Sequence, residues 1–184
     1  MKQFIKDVAF LMQDNFYELA SAKGQLGATL LRDALLPDIL GKDNTMLYWA
    51  GKRLARLFPL AKDEELPFFF AQANWGTLKR IKAKKGQQYF ELTGEIVETR
   101  KKLNPDCEFL IEAGFLAETI QNQLGFITEA AIDKKTHNSV IFLVQIDTKD
   151  PLDLDAIEEL KPLNILPLEV KETSEVTDST DEDK

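Results

Sequence analysis

The chain has 184 residues, of which 44% are apolar, and its 23 basic and 31 acidic side chains give a formal net charge of −8. This length suits one domain with extensions, and no apolar run approaches the roughly 20 residues of a membrane-spanning helix. A single cysteine excludes an internal disulfide, and charges interrupt the N-terminus where a signal peptide would be apolar, so we expect a cytoplasmic protein without a membrane span.

The N-terminal part of the chain has apolar residues at helical spacing. The spacing predicts helices over 4–20, 28–41 and 44–57, and a short helix that starts at Asp63. Gly41 is expected to end the second helix, and Pro37 to kink it or to end its regular part. Asp43 can cap the third helix, which Phe58 and Pro59 stop.

The pattern changes to that of strands after "ANWGTL". It predicts strands over 77–84, 87–93 and 95–101. The sequence "NPDCE" predicts the start of another helix, because Asn104 can cap it and Pro105 suits its first position. This helix is expected to end at Leu124, with Gly125 as its terminator.

A closing hairpin is predicted from strands over 126–133 and 139–147. The sequence "VIFLV" at 140–144 is apolar on both faces, which predicts a central position in the sheet. The order of the elements predicts an α+β fold. In this fold the N-terminal helices and one long C-terminal helix pack on a twisted antiparallel β-sheet.

The composition divides the chain into four parts. We predict an N-terminal helical arm at 1–24, a single α+β domain at 25–148, a C-terminal extension at 149–170 and a disordered acidic tail at 171–184. The tail holds six acids and two lysines, a net charge of −4, and it has no aromatic residue. It therefore offers too little apolar surface to order itself.

Residues that usually carry chemistry are sparse. One histidine and one cysteine cannot supply the ligands of a zinc site, and His137 falls in a polar turn. Cys107 falls in the first turn of a predicted helix, where the dipole favours a thiolate, but Asp106 and Glu108 oppose that shift. We interpret Cys107 as structural, with a modifiable or acylated thiol as the alternative. We predict no catalytic residue, no metal site and no cofactor.

Residues 79–85 carry five cations and are followed by Tyr89 and Phe90. Surfaces that bind nucleic acids interleave cations and aromatic rings in this way. Lysines on an exposed hairpin also block edge-to-edge pairing of sheets. Because the rest of the chain is acidic, we favour a solvated hairpin edge over a nucleic-acid partner.

The segment "EAGFLAETIQNQLGF" is apolar around more than half of the helix it predicts. One stripe consists of Leu110, Ala113, Ala117, Ile120 and Leu124. Phe109, Phe115 and Leu116 lie off this stripe, so the helix should be buried on two sides, against the sheet and a further layer. Glu112 and Glu118 have no neighbouring base or nucleophile, and we interpret the segment as architecture.

Four motifs, "LLRDALLPDILG", "LYWAGKRLAR", "WGTL" and "EAGFLAETIQNQLG", resemble the YslB-like proteins of bacteria. More distantly, "FLIEAGFLAETIQNQLG" and the following hairpin are similar to the 4-vinyl-reductase-type ligand-binding domain and to small subunits of the TRAPP vesicle-tethering complex. The resemblance implies a helical layer on a twisted antiparallel sheet and pairing of subunits through the N-terminal helices. It also implies an apolar interior, which in some relatives is able to hold a small molecule or an acyl chain.

Aromatic residues are the candidate lining of such a pocket. They are Trp49, Phe69, Phe70, Phe109 and Phe115. The adjacent Phe68, Phe69 and Phe70 span about 200° of a helix, so they cannot all face one core.

The first two helices of the body carry more leucines than one face can bury, which predicts a self-complementary dimer surface. Its candidate residues are Leu31, Leu35, Tyr48, Trp49 and Arg53. An alternative is that segment 4–20 covers this surface within one chain.

The leading functional interpretation is a non-enzymatic, homodimeric module that binds an apolar small molecule, an acyl chain or a protein partner. One alternative is an RNA-associated factor that uses residues 79–85. Another is an enzyme of unknown reaction that uses carboxylates and the segment "YWAGKR".

Overall fold

The structure is a computed structural model that describes residues 16–18, 20–21, 24–41, 44–153, 162–163 and 165. Of the predicted N-terminal arm, residues 16–18 and 20–21 are helical, and the remainder of the predicted helix over 4–20 lies outside the described residues. Asp43, most of the predicted extension and the whole acidic tail also lie outside them. The boundaries of the four parts stay a prediction.

Along the described chain, helices precede a first pair of strands, and two further helices precede a second pair. Helix α1 (26–40) consists of an α-helical turn Leu26–Thr29, a π-helical segment Leu30–Leu35 and an α-helical segment Leu36–Leu40. The other helices are α2 (Met46–Leu57), α3 (Glu65–Gln72), α4 (Glu95–Leu103) and α5 (Leu110–Leu124). The strands are β1 (Thr77–Lys84), β2 (Gln87–Thr93), β3 (Phe126–Lys135) and β4 (Ser139–Pro151).

The described strands form an antiparallel sheet in the order β1-β2-β4-β3. Strand β4 therefore lies between two neighbours, and the central position predicted for "VIFLV" is confirmed. Phe142 on β4 faces Phe90 on β2 and Ile132 on β3 in the register of the sheet. Val140, Phe142 and Val144 alternate along β4 and are buried, as expected for one face of a pleated strand. The α+β class is confirmed.

Helix α5 is buried on two sides, as its apolar pattern predicts. Residues 112–120 are all buried, and the helix packs against α2 on one side and against β3 and β4 on the other. Gly51 and Gly114 allow α2 and α5 to approach closely. A Cβ atom at Gly51 would lie 2.1 Å from the Ile111 carbonyl oxygen, and one at Gly114 would lie 2.0 Å from the Tyr48 carbonyl oxygen. Only glycine fits at these two positions.

The strand predicted over 95–101 is wrong, because this segment forms helix α4. Ile96, Val97 and Arg100 are buried, and this spacing matches a helical face rather than strand alternation. The helix begins with the acids Glu95 and Glu98 and ends with basic residues, a charge order that stabilises the helix dipole.

The predicted helix start at Asn104 is also wrong, because α5 begins at Leu110. The Asn104 side chain accepts a hydrogen bond from the backbone N–H of Asp106 (3.0 Å), which closes a local turn instead of capping a helix. Cys107 consequently lies in the non-helical segment 107–109, and no helix dipole favours its thiolate.

The predictions for the ends of the other helices hold in part. Gly41 ends α1, and its N–H bonds the Pro37 carbonyl at 2.9 Å. Pro37 does not end the helix, and the irregularity is the π-helical segment before it, where the missing proline N–H removes a regular helical bond. Gly125 ends α5 with a left-handed conformation (φ 73°), as predicted.

Candidate functional site: buried charges and an apolar helical face

A group of ionised side chains is enclosed between α1, α4 and α5. This buried charge cluster consists of Arg32, Asp33, Arg100 and Glu112. Arg100, only 2% exposed, donates from Nε to Asp33 (2.8 Å), from Nη1 to Glu112 (3.0 Å) and from Nη2 to the Glu108 carbonyl (2.6 Å). Burial alone would disfavour its charge, but Glu112 and Asp33 outweigh burial and hold the pKa of Arg100 above its ordinary value.

Arg32 and Asp33 are the incompletely paired members of the buried charge cluster. The Nη1 of Arg32 donates to Glu112 at 3.3 Å, whereas its Nε lies 3.7 Å from Asp33 Oδ2, beyond hydrogen-bond distance. In the described part of the chain, Nε and Nη2 of Arg32 and Oδ2 of Asp33 are buried without a hydrogen-bond partner. Burial and the neighbouring Arg100 lower the pKa of Arg32.

A cavity of about 130 Å³ adjoins the buried charge cluster. Its lining includes the charged Arg32, Asp33 and Glu112 and the apolar Leu40, Leu47 and Ile111. Cys107 also borders it, and burial raises the pKa of the Cys107 thiol. The cavity thus joins a wall of guanidinium and carboxylate groups to an apolar wall.

A second group of charges joins α2, α5 and β3. This Lys52 cluster consists of Tyr48, Lys52, Arg56, Glu118 and Glu129. Lys52 Nζ donates to Glu129 at 2.8 Å and lies 3.9 Å from Glu118, which also accepts from Arg56. The Tyr48 hydroxyl donates to Glu129 and accepts from the Ala130 N–H at 3.0 Å. Burial and the hydrogen bond to Glu129 raise the pKa of Tyr48 above its ordinary value.

Several side chains with reactive groups in the described part of the chain have close partners or are buried. Lys52 and Tyr48 are bound within the Lys52 cluster, and Cys107 is buried with a raised pKa. His137 is exposed in the turn at 136–138, where the sequence predicts it. Over the described ranges, no three His, Cys, Asp or Glu residues are grouped so that they could hold a metal ion.

The structure brings together three of the five candidate pocket residues. Phe69 stacks on Phe115 with 4.4 Å between ring centroids, and Phe70 meets Phe115 edge to face at 6.0 Å. Trp49 lies elsewhere, exposed on α2, and Phe109 lies beneath the guanidinium of Arg100 at 4.2 Å. Of the adjacent phenylalanines, Phe70 is buried, Phe69 is half-buried and Phe68 is exposed, so they do not share one environment.

Exposed apolar side chains of α1 and α2 include three of the five candidate dimer residues, and we call this group the apolar helical face. It comprises Leu31, Leu35 and Ile39 of α1 and Met46 and Trp49 of α2. Their exposed fractions are 60%, 46%, 66%, 58% and 57%, respectively. Leu31, Leu35 and Ile39 follow one another at intervals of four residues. Arg53 is also exposed, whereas Tyr48 is half-buried and bonded to Glu129.

The basic residues 79–85 lie on and just after β1, which is an edge strand of the sheet, as the hairpin prediction requires. Arg80 forms an ion pair with Asp63 and lies over the Phe90 ring at 4.9 Å. Lys82 lies over the Tyr89 ring at 5.1 Å. Two of the five cations are therefore engaged by side chains of the same chain.

Sequence reasoning missed both charge clusters. Glu112 and Glu118 are 1% and 3% exposed, and each pairs with cations that are distant in sequence. Their position on a helix predicted to be buried on two sides could have indicated ion pairs, because a buried carboxylate needs a cation or several hydrogen bonds. Their partners could not be named, since Arg100 is assigned to a strand by pattern alone.

The fold places the chain among proteins with a helical layer on an antiparallel sheet. It is similar to the crystal structure of a vinyl-4-reductase family protein from Methanocaldococcus jannaschii, with a TM-score of 0.50 and 19% sequence identity. The similarity covers 64% of this chain and 78% of that one. At this identity the likeness concerns the fold alone.

The sequence relationship is closer and defines a family. Residues 25–145 match the family described as "Protein of unknown function (DUF2507)", and the chain belongs to that family. It is 47% identical over 125 residues to "Uncharacterized protein YslB" of Bacillus subtilis (strain 168), which covers 67% of this chain and 84% of that protein. The resemblance to YslB-like proteins is thereby confirmed, and the resemblance to TRAPP subunits stays a prediction. None of the helices in the described ranges has the length and apolarity to cross a bilayer.

Proposed function

We propose that the protein is a non-enzymatic cytoplasmic binding module that pairs with a second copy of itself through the apolar helical face. One observation carries the proposal: Leu31, Leu35 and Ile39 form an exposed apolar row on α1, and Trp49 adds a large exposed ring on α2. Patches of exposed, large apolar side chains mark interaction sites on soluble proteins.

Pairing about a twofold axis lets the same surface bury itself, because each residue of one copy meets its counterpart region on the other. Trp49 and Arg53 are suitable anchors, since tryptophan and arginine carry much of the binding energy at protein interfaces. The engagement of Lys52 and Tyr48 by glutamate supports a binding role over catalysis. The free thiol of Cys107 is compatible with a reducing compartment.

Sedimentation velocity of the full chain at micromolar concentration tests this proposal, and we expect the mass of a dimer. Leu35→Glu should give a folded monomer, because the new charge would have to be desolvated in the interface. Leu124→Glu is the matched control, since Leu124 on α5 is also 46% exposed and lies off the apolar helical face.

A full chain that stays monomeric at all accessible concentrations would contradict the pairing. It would favour the alternative in which the N-terminal segment covers the apolar helical face. Equal dissociation by Leu35→Glu and Leu124→Glu would contradict the assignment of the face.

A second candidate function is the binding of an apolar small molecule or acyl chain at the aromatic cluster. The favouring observation is that half-buried Phe69 connects buried Phe115 to the exposed Phe58, whose ring centroid lies 6.4 Å from that of Phe69. A ligand would enter by parting Phe69 from Phe115. Native mass spectrometry should then show a bound mass that Phe69→Ala loses and Phe68→Ala keeps.

A further inference from the structure

Strand β1 presents a row of lysines on one face of the sheet. This lysine row consists of Lys79, Lys82 and Lys84, which are all exposed. In the register of the sheet, these lysines lie opposite alternate residues of β2, namely Glu91, Tyr89 and Gln87. Alternate residues of a strand point to the same face, so the three lysines share the face that is opposite to the buried Phe90.

An irregularity in β1 makes the lysine row possible. Lys79 and Lys82 are separated by an odd number of positions, which would put their side chains on opposite faces of a regular strand. The register shifts between Arg80 and Lys82, so Ile81 is an extra residue without a partner on β2. Such a bulge re-aims the side chains that follow it, and here it turns Lys82 and Lys84 onto the face of Lys79. Protection of a sheet edge from pairing needs lysines but not a shared face.

The described residues compensate little of this positive charge. Lys82 lies over the Tyr89 ring at 5.1 Å. Among the described residues, Lys79 and Lys84 form no ion pair, although Glu91 lies opposite Lys79 in the register. Like charges along one strand repel one another, so acidic groups from elsewhere would stabilise the lysine row.

The same chain supplies acidic groups in the segment 171–184, which lies outside the described residues. This segment holds six acids and two lysines, and its net charge of −4 is half of the total of −8. Val176 is its only sizeable apolar side chain, so charge rather than apolar burial would govern its contacts. The acidic segment is therefore complementary in charge to the lysine row.

The described end of the chain brings the acidic segment within reach of β1. The Leu163 N–H donates to the Pro59 carbonyl at 2.8 Å, and Leu163 and Ile165 pack against the core. Asp63, which follows Pro59 closely in sequence, forms an ion pair with Arg80 of β1. The residues between Ile165 and the acidic segment can span about 20 Å when extended, which is comparable to the length of β1.

We propose that the acidic segment 171–184 docks on the lysine row of its own chain and covers it against other polyanions. Exposed ion pairs contribute little to the stability of a fold, and the contact is weak by itself. It forms because the short connection keeps the acidic segment beside β1 at an effective concentration on the order of millimolar. The contact involves β1 and not the apolar helical face, so it is independent of the proposed dimer.

Paramagnetic relaxation enhancement in NMR spectra of the full chain tests the docking. Cys107 is buried, so a nitroxide reagent attaches to position 179 of a Ser179→Cys variant. We expect the amide signals of the lysine row to broaden at least about twofold more than those of β3, which lies at the opposite edge of the sheet. The excess should disappear in roughly 1 M sodium chloride, where the screening length is about 3 Å. Equal broadening of β1 and β3 would overturn the proposal.

A matched variant separates attraction from proximity along the chain. It carries the same label and replaces the acids of the segment by amides, as Glu172→Gln, Glu175→Gln, Asp178→Asn, Asp181→Asn, Glu182→Gln and Asp183→Asn. This amide variant should lose the excess broadening of the lysine row. Excess broadening that persists in it would overturn the proposal.

Retention on a heparin column tests whether the lysine row is covered. Without the label, the amide variant should elute at a salt concentration at least about 0.1 M higher than the unmodified chain does. Addition of Lys79→Gln, Lys82→Gln and Lys84→Gln to the amide variant should remove this gain. A gain that survives these substitutions would overturn the proposal, because the uncovered surface would then lie elsewhere. Equal retention of the unmodified chain and the amide variant would also overturn it and would leave the lysine row to an external polyanion.

Discussion

Helix α5 carries two buried glutamates, Glu112 in its first turn and Glu118 near its middle, and they differ in how far water reaches their partners. Glu112 pairs with Arg100 and Arg32, whose side chains are 2% and 10% exposed. Glu118 pairs with Arg56, which is 57% exposed, and with Lys52, which also contacts the 55% exposed Glu129. Burial of a charge therefore does not fix its energetic role by itself. The cost of removing a buried charge depends on whether water can then solvate the charged partners that are left behind.

The close crossing of α2 and α5 lies between the two glutamates. Gly51 and Gly114 bring the helix backbones together between Glu112 and Glu118, and no side chain fits in the contact. Only Glu118 finds its partners across this contact, on α2, whereas the partners of Glu112 lie on α1 and α4.

The largest loss of stability is expected from Arg100→Met, which should disrupt the buried charge cluster. Asp33 and Glu112 would remain buried with Arg32 as their remaining cation, and Arg32 is already incompletely paired. Removal of one partner from a buried ion pair lowers the free energy of unfolding by about 3–5 kcal/mol. Urea denaturation measures the loss, and Lys79→Met on the exposed edge strand β1 serves as control, with an expected change within about 0.5 kcal/mol. Equal losses of unfolding free energy for the two substitutions would contradict the claim that the buried charge cluster is costlier to disrupt than an exposed position.

Comparison of Glu112→Gln with Glu118→Gln tests directly whether the buried charge cluster and the Lys52 cluster differ in how well water reaches them. Glu112→Gln leaves Arg32 without its carboxylate hydrogen bond in an enclosed site, and it should lower the free energy of unfolding by about 2–4 kcal/mol. Glu118→Gln should lower it by about 1–2 kcal/mol, because Arg56 can turn to water and Lys52 keeps Glu129. Thermal and urea denaturation of both variants provide the order. A larger loss of stability in Glu118→Gln than in Glu112→Gln would mean that the Lys52 cluster is the more enclosed of the two clusters in solution.

Alkaline pH should weaken the Lys52 cluster through Tyr48. Burial and Glu129 raise the pKa of Tyr48 in the folded protein above its value in the unfolded chain, near 10. The stabilisation from the neutral phenol is therefore complete below about pH 10 and is lost as the pH rises through the folded pKa. The free energy of unfolding should fall more steeply above pH 10 in the unmodified chain than in Tyr48→Phe. Parallel curves for the two proteins would show that Tyr48 does not carry this dependence.

The smallest effect is expected where the charges are most exposed. Simultaneous replacement of Lys79, Lys84 and Lys85 by glutamine removes cations of the edge hairpin and should change the free energy of unfolding by less than about 1 kcal/mol. Retention on a polyanion column at low salt, measured on the same variant, separates a structural hairpin from a nucleic-acid surface. Strong salt-dependent retention that this variant loses would favour the RNA-associated alternative.

The sequence by itself determined the α+β class, the burial of α5 on two sides and the central place of β4. These features depend on local periodicity, which requires no knowledge of distant residues. Family membership was also readable, because the motifs of α1, α2 and α5 are contained in short stretches.

Only the tertiary structure decided which charges meet. Glu112 lies 80 residues from Arg32 in sequence, and Arg100 lies 67 residues from Asp33, so no local pattern pairs them. The segment around Arg100 also contains isoleucine and valine, which favour a strand. It is nevertheless a helix, with one buried face, acidic residues in its first turn and basic residues in its last turn. The need for glycine at positions 51 and 114 is likewise visible only in the tertiary structure, where the backbones of α2 and α5 approach each other. Burial removes water as the alternative partner, and the fold then determines which opposite charge takes its place.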